Sequence, residues 1–128
     1  YLYDLFKYED SFVHHSLPAH SKSLYKEVKN FFENDKNAVI IKGKLPDILE
    51  KNAPEKISFL HMDLNNVEGE ISTLEVLFDK MVPGAIIILD DFGWFAYRKQ
   101  HRAEQKWFAN KGYQILEMPT GQGMVIKT

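Results

Sequence analysis

The 128 residues contain no cysteine. This excludes disulfides, thiolate nucleophiles and zinc–thiolate sites, and it suits a cytoplasmic protein. Long hydrophobic runs are missing as well. The longest, residues 85–89 (AIIIL), falls far short of the roughly 20 apolar residues that a membrane-spanning helix needs. Neither sign of charge dominates: 16 basic residues stand against 18 acidic ones, a formal net charge of −2. No electrostatic reason exists to bind nucleic acid or an anionic membrane. A secretory leader is not visible either, because Asp4, Lys7, Glu9 and Asp10 break up the first ten residues. Glycine is scarce where a nucleotide loop would need it. None of the seven glycines (43, 69, 84, 93, 112, 121 and 123) belongs to a Gly-x-Gly-x-x-Gly pattern, and the one Gly-x-Gly, Gly121–Gly123, lies in the last turn. A Walker-type Gly-x-x-x-x-Gly-Lys is also lacking, which counts against phosphoryl transfer.

Apolar residues make up 45% of the chain, with nine Phe, six Tyr and two Trp, enough for the core of one domain spanning residues 1–128. Short β-rich runs alternate with helical segments. Residues 1–6 (YLYDLF) hold a strand ending at Asp4, and residues 7–21 form a polar loop containing His14, His15 and His20. Leu24, Tyr25, Val28, Phe31 and Phe32 then fall on one face of a helix over residues 22–34. A buried strand at 38–42 (AVIIK) is closed by Gly43, a short helix starts near Pro46, and a second apolar strand covers 56–64 (KISFLHMDL). Ile71, Leu74, Leu77, Phe78 and Met81 predict a helix over 69–81, stopped by Val82, Pro83 and Gly84. The strand at 85–89 runs directly into Asp90 and Asp91. A helix over 99–110 ends at Lys111-Gly112, and residues 113–118 and 123–127 close the chain as a hairpin. Continuous apolar strands alternating with helices predict an α/β fold with a mostly parallel sheet, covered on both faces, and a C-terminal antiparallel hairpin.

Ligands of open α/β sheets bind beyond the carboxyl ends of the parallel strands. There the strand at 57–62 delivers Asp63, and the strand at 85–89 delivers Asp90 and Asp91. Three carboxylates brought together repel one another, and a divalent cation relieves that repulsion. Carboxylate oxygens suit magnesium, calcium or manganese better than zinc. A solvated turn after a strand accounts for an acidic pair equally well on pattern alone. His61, two residues before Asp63, points to the same side of its strand, as a base, a ligand or a hydrogen-bonded structural histidine. Trp94 and Phe95 follow the acidic pair, either lining an acceptor pocket or packing on the next helix. Trp107 and Phe108 are expected in the core, and Arg98 and Lys99 on a solvated helix start.

Three blocks sharpen these alternatives: residues 58–65 (SFLHMDLN), 82–94 (VPGAIIILDDFGW) and 118–127 (MPTGQGMVIK). In this order they resemble the macrocin O-methyltransferase family of class I S-adenosylmethionine-dependent methyltransferases. The similarity runs from about residue 38 to 128 and more weakly back to Tyr1. The resemblance implies a Rossmann-like sheet and O-methylation of a small-molecule hydroxyl, sugar or natural-product-like, with S-adenosylmethionine and Mg2+ as cofactors. It implies Asp63, Asp90 and Asp91 as magnesium ligands, Asp63 also as the general base, Asp4 as the partner of the donor's ribose, and Gly43 beside its adenine. Sugar-modifying members often read Asp-x-Asp-x-Tyr where this sequence has Asp63-Leu64-Asn65-Asn66-Val67, so the acceptor is left open. The family's first strand and Gly-rich loop have no counterpart after Tyr1, and a chain opening on Tyr1 rather than Met is expected to be a partial methyltransferase domain. Such a chain is expected to bind the donor weakly and to leave strand edges unpaired, which favours a homo-oligomer. The alternative function is a catalytically silent methyltransferase fragment retained for binding or assembly.

Overall fold

A computed structural model describes residues 1–7 and 23–128, so His14, His15 and His20 lie outside the described residues. The chain divides into two compact units, Tyr1–Asn52 and Ala53–Thr128. In the first, β1 (Leu2–Asp4) pairs in parallel with β2 (Ile40–Lys42), Leu2 opposite Ile40 and Asp4 opposite Lys42. Helix α1 (Leu24–Phe31) and the short α2 (Leu49–Asn52) complete this unit. The predicted apolar face of α1 holds at Leu24, Tyr25 and Val28, which are half-buried, but Phe31 is 81% exposed. The helix ends there, so Phe32 leaves the helical stripe that the spacing suggests. Strand β2 is half-buried rather than buried, with Val39 just outside it exposed.

In the second unit β3 (Ile57–Met62) and β4 (Met81–Leu89) run in parallel, while β6 (Gly123–Ile126) lies antiparallel to β4 and β5 (Leu116–Glu117) antiparallel to β6. The hairpin and the mostly apolar strands are as expected. The segment 81–84 is not: β4 starts at Met81, four residues before the predicted strand. Gly84 takes φ +84 and donates its N–H to the Lys127 carbonyl at 2.7 Å, while the pairing of β4 with β3 shifts register between Ile57 and Phe59. A glycine in the left-handed region accommodates such a bulge, so Pro83-Gly84 bends the strand instead of ending a helix.

Helices α3 (Val67–Leu77) and α4 (Arg98–Asn110) contribute the other layer, each joined to a short 3-10 turn, Phe78–Lys80 after α3 and Phe95–Tyr97 before α4. Asn66 caps α3, its side-chain oxygen accepting the Gly69 N–H at 2.7 Å. Gly112, at φ +81, ends α4 with its N–H on the Ala109 carbonyl. Leu74, Leu77, Phe78, Trp107 and Phe108 are buried with Met62, Ala85, Ile87, Leu89 and Val125, so Trp107 and Phe108 belong to the core as expected. The Phe78 and Trp107 rings meet edge to face, centroids 5.1 Å apart. Phe59, Ile86 and Ile126, which pair across β3, β4 and β6, are 59%, 36% and 52% exposed. The continuous apolar strands predict cover on both faces; the alternation of buried and exposed residues in β4 shows one face of this sheet closely packed. No helix among the described residues is long and apolar enough to cross a membrane.

Candidate metal and acceptor site

Strands β3 and β4 are adjacent and parallel, so both carry their carboxyl ends to one edge of the sheet, with Met62 opposite Leu89. Asp63 follows Met62, and Asp90 follows Leu89. The Asp90 N–H donates to the Met62 carbonyl at 3.0 Å, which ties the two strand ends together. As a result one carboxylate oxygen from each of Asp63, Asp90 and Asp91 lies within 4.8 Å of the others. An octahedral ion with metal–oxygen bonds of about 2.1 Å sets its ligand oxygens about 3.0 Å (adjacent) to 4.2 Å (opposite) apart. The cluster therefore has the composition and nearly the spacing of a magnesium or manganese site. Asp63 is exposed and Asp90 and Asp91 are half-buried, an arrangement that leaves one side open to a substrate.

Two side chains orient Asp90. Gln122 Nε2 donates to Asp90 Oδ1 at 2.7 Å, and His61 Nε2 lies 3.2 Å from the same oxygen. The Gln122 bond is the largest reason that the Asp90 carboxyl titrates below its ordinary range, with His61 adding to it against partial burial. An ionised Asp90 is the form that binds a cation. On the other strand, Asn65 takes φ +54 and its Nδ2 donates to Asp63 Oδ1 at 3.0 Å. Burial first, and then the nearby carboxylates of Asp91, Asp63 and Glu70, push the Tyr97 phenol pKa up. Gln122 sits in the Pro-Thr-Gly-Gln-Gly stretch whose pattern drew attention, but its role depends on the hairpin bringing it to Asp90. Tyr97 carried no signal in the sequence.

The residues that follow Asp91 in the chain line an open cleft of about 340 Å3, with Phe92, Trp94, Phe95, Arg98, Arg102 and Glu117 among its walls. Trp94 and Phe95 are 59% and 80% exposed, so neither is buried against the next helix. His101 stacks on Phe92 and hydrogen-bonds its carbonyl through Nδ1 at 2.8 Å, while the Arg98 guanidinium lies 4.8 Å over the Phe95 ring. Gly93 sits where a Cβ would come within 3.1 Å of the Gly121 carbonyl, and its N–H donates to that carbonyl at 2.7 Å. A side chain there would crowd the Glu117 carboxylate and the Gly121 backbone, so this part of the hairpin loop would have to give way.

In the first unit, Asp4 and Gly43 meet at the carboxyl ends of β1 and β2: the Gly43 N–H donates to the Asp4 carbonyl at 3.0 Å. The Asp4 side chain, exposed, accepts the Phe6 N–H through Oδ1. The two residues expected near a nucleoside therefore share one strand-end edge.

The sequence profile of the macrocin-O-methyltransferase (TylF) family matches residues 8–114. No protein of curated function matches the chain. Among solved structures, the O-methyltransferase NovP is similar over 98% of this chain at a TM-score of 0.75 and 16% identity. A TDP-rhamnose 3'-O-methyltransferase of calicheamicin biosynthesis, CalS11, is similar over 97% at a TM-score of 0.68 and 18% identity. At these identities the likeness is one of fold, and it places the chain in the Rossmann-like α/β class of these methyltransferases. The chain spans 58% and 57% of the length of those two structures.

Proposed function

Because the chain belongs to the macrocin O-methyltransferase family, we propose that it supplies the metal and acceptor residues of an S-adenosylmethionine-dependent O-methyltransferase. The acceptor is a hydroxyl of a sugar or natural-product-like small molecule. The observation that carries this reading is the convergence of Asp63, Asp90 and Asp91 at the carboxyl ends of β3 and β4, oxygens within 4.8 Å. These three residues would hold Mg2+, which when bound lowers the pKa of a coordinated hydroxyl and stabilises the alkoxide as it develops. Asp63, the exposed member, takes the acceptor's proton. Gln122 and His61 keep Asp90 ionised and turned toward the cluster. Trp94 and Phe95 give the acceptor an apolar wall in the neighbouring cleft, and Arg98, Arg102 and Glu117 give that cleft a rim of both charges. Holding acceptor and donor in line then supplies much of the rate.

Asp4 is proposed to bind the donor's ribose and Gly43 to lie by its adenine, a role supported by their meeting at the ends of β1 and β2. A cytoplasmic protein with a small-molecule partner, rather than nucleic acid or membrane, agrees with the net charge of −2 and the absence of cysteine. The test is transfer of a labelled methyl group from S-adenosylmethionine to nucleotide sugars and glycosylated natural products by the full-length protein, with and without EDTA. Asp63→Asn is expected to abolish transfer while leaving donor affinity intact. Loss of donor binding in parallel with turnover would remove Asp63 from the base role, and EDTA-insensitive transfer would remove the metal.

A further inference from the structure

Two carboxylates occupy core positions where α3 packs on α4. Glu70 lies on the helical stripe of Leu74 and Leu77, and Glu104 on the stripe of Gln100 and Phe108. They are 1% and 0% exposed. Glu70 Oε1 accepts the N–H of Leu64, the residue that follows Asp63, at 3.0 Å. Glu70 Oε2 and both oxygens of Glu104 meet no donor among the described residues, and Glu104 is the hydrogen-bonding neighbour of Glu70. No lysine, arginine or histidine among the described residues pairs with either. The groups facing them are acidic or neutral: Asp63 toward Glu70, Asp91 toward Glu104, the Tyr97 phenol, and the buried Thr73 hydroxyl one turn from Glu70. Two ionised carboxylates cannot remain buried side by side without a counter-charge, whereas one proton between them supplies the missing donor and removes the repulsion.

We propose that Glu104 is a positioning residue: it shares one proton with Glu70 across the α3–α4 contact and thereby fixes the loop that aims Asp63. The un-ionised carboxyl of Glu104 donates to the Glu70 carboxylate, and Glu70 holds the Leu64 N–H. That bond sets the turn in which Asn65 adopts φ +54 and hydrogen-bonds Asp63. Burial first, and then the neighbouring Glu70 and Asp91, raise the Glu104 pKa from 4.5 to about 9, in agreement with the shared proton. The aim of Asp63 rests on the metal-site reading above; the shared proton does not.

The experiment compares the wild-type protein with Glu104→Gln, which keeps a donor, and Glu104→Met, which removes it. The wild type is expected to show the infrared band of an un-ionised carboxylic acid at pH 7, and Glu104→Gln, which keeps a donor to Glu70, to lack it. Exchange of the Leu64 amide is expected to stay slow in Glu104→Gln and to speed up in Glu104→Met. Manganese affinity is expected to be retained in Glu104→Gln and to fall several-fold in Glu104→Met, less than the roughly 10- to 100-fold of losing a direct hydrogen bond to a metal ligand, because Glu104 acts through Glu70 and Leu64. If Glu104→Met does not fold, denaturation of the wild type against Glu104→Gln decides the matter. The folded pKa lies above the unfolded one, so the stabilisation is complete below about pH 4.5 and is lost as pH rises toward about 9. Across that window the unfolding constant of the wild type rises about tenfold per pH unit relative to Glu104→Gln. Absence of the acid band, or a parallel pH dependence in the two proteins, would overturn the shared proton. Slow Leu64 exchange in a folded Glu104→Met would overturn the positioning role. A wild type that binds no manganese yet shows the band and the Leu64 effect would refute the metal reading and leave the pair in place.

Discussion

Gln122→Ala isolates how far the hairpin contributes to the acidic cluster. The amide of Gln122 lies beyond the strand β5 that starts its hairpin, and it reaches Asp90 Oδ1 at 2.7 Å. A hydrogen bond to a charged partner contributes about 1.5–3 kcal/mol when sheltered. The Asp90 side chain is 33% exposed, so water replaces part of the lost donor and the lower end applies. A loss of about 1.4 kcal/mol in the ordering of one ligand corresponds to roughly tenfold in ion affinity. The effect on protonation has the same direction. Gln122 is the main group holding the Asp90 carboxyl below its ordinary range, so its removal raises that pKa and lets protons compete with the ion at higher pH. His61, 3.2 Å away on the same oxygen, remains and limits the change. Manganese titrations followed by electron paramagnetic resonance at pH 7 and at pH 5 measure both effects. The variant is expected to bind about tenfold more weakly at pH 7 and to lose more of its affinity than the wild type on going to pH 5. Wild-type affinity at both pH values would refute the reasoning.

Phe108, fully buried between Phe78 and Trp107, should cost about 3–5 kcal/mol when cut to alanine, read by urea denaturation; a change below 1 kcal/mol would mean that this part of the core is not packed as described. Asn66→Ala removes the cap on Gly69 and is expected to destabilise by about 1 kcal/mol in the same assay, with Asn66→Asp restoring most of it. Asp90 has a folded pKa below its unfolded value of 3.8, so its contribution to stability is present above that value and is lost as pH falls through the folded one. Acid denaturation of Asp90→Asn should lack that component, and an unchanged acid limb would show that the Gln122 bond does not act on stability.

Much of the fold was legible because its signals are local. Apolar runs gave β3 and the end of β4, the 3.6-residue spacing gave α3, and Gly112 gave the end of α4. The family resemblance named Asp63, Asp90 and Asp91, and the parallel pairing of β3 with β4 explains why two positions 27 residues apart in the chain meet. What escaped were features set by tertiary pairing. Pro83-Gly84 has the residues of a helix stop, yet they lie within β4, where its ladder to β3 shifts register and the Gly84 N–H bonds the Lys127 carbonyl. Phe31 follows a helical pattern, but the helix ends before that pattern acquires a partner. Glu70 was readable in principle, since it carries a carboxylate on the otherwise apolar stripe of Leu74 and Leu77, and that conflict between pattern and burial is itself a signal of function; Glu104 shares its stripe with Gln100 and stood out less. Gln122 and Tyr97 had no such mark; one reaches Asp90 through the hairpin and the other approaches Asp91 from the 3-10 turn before α4.

The central claim is that Asp63, Asp90 and Asp91 together form a divalent-cation site for methyl transfer. Its most direct test is a manganese titration of the wild type and of Asp63→Asn, Asp90→Asn and Asp91→Asn, with magnesium as competitor. One ion per chain, displaced by magnesium and weakened by each of the three substitutions, is the predicted result. Stoichiometric binding that survives all three, or none in the wild type, would contradict it.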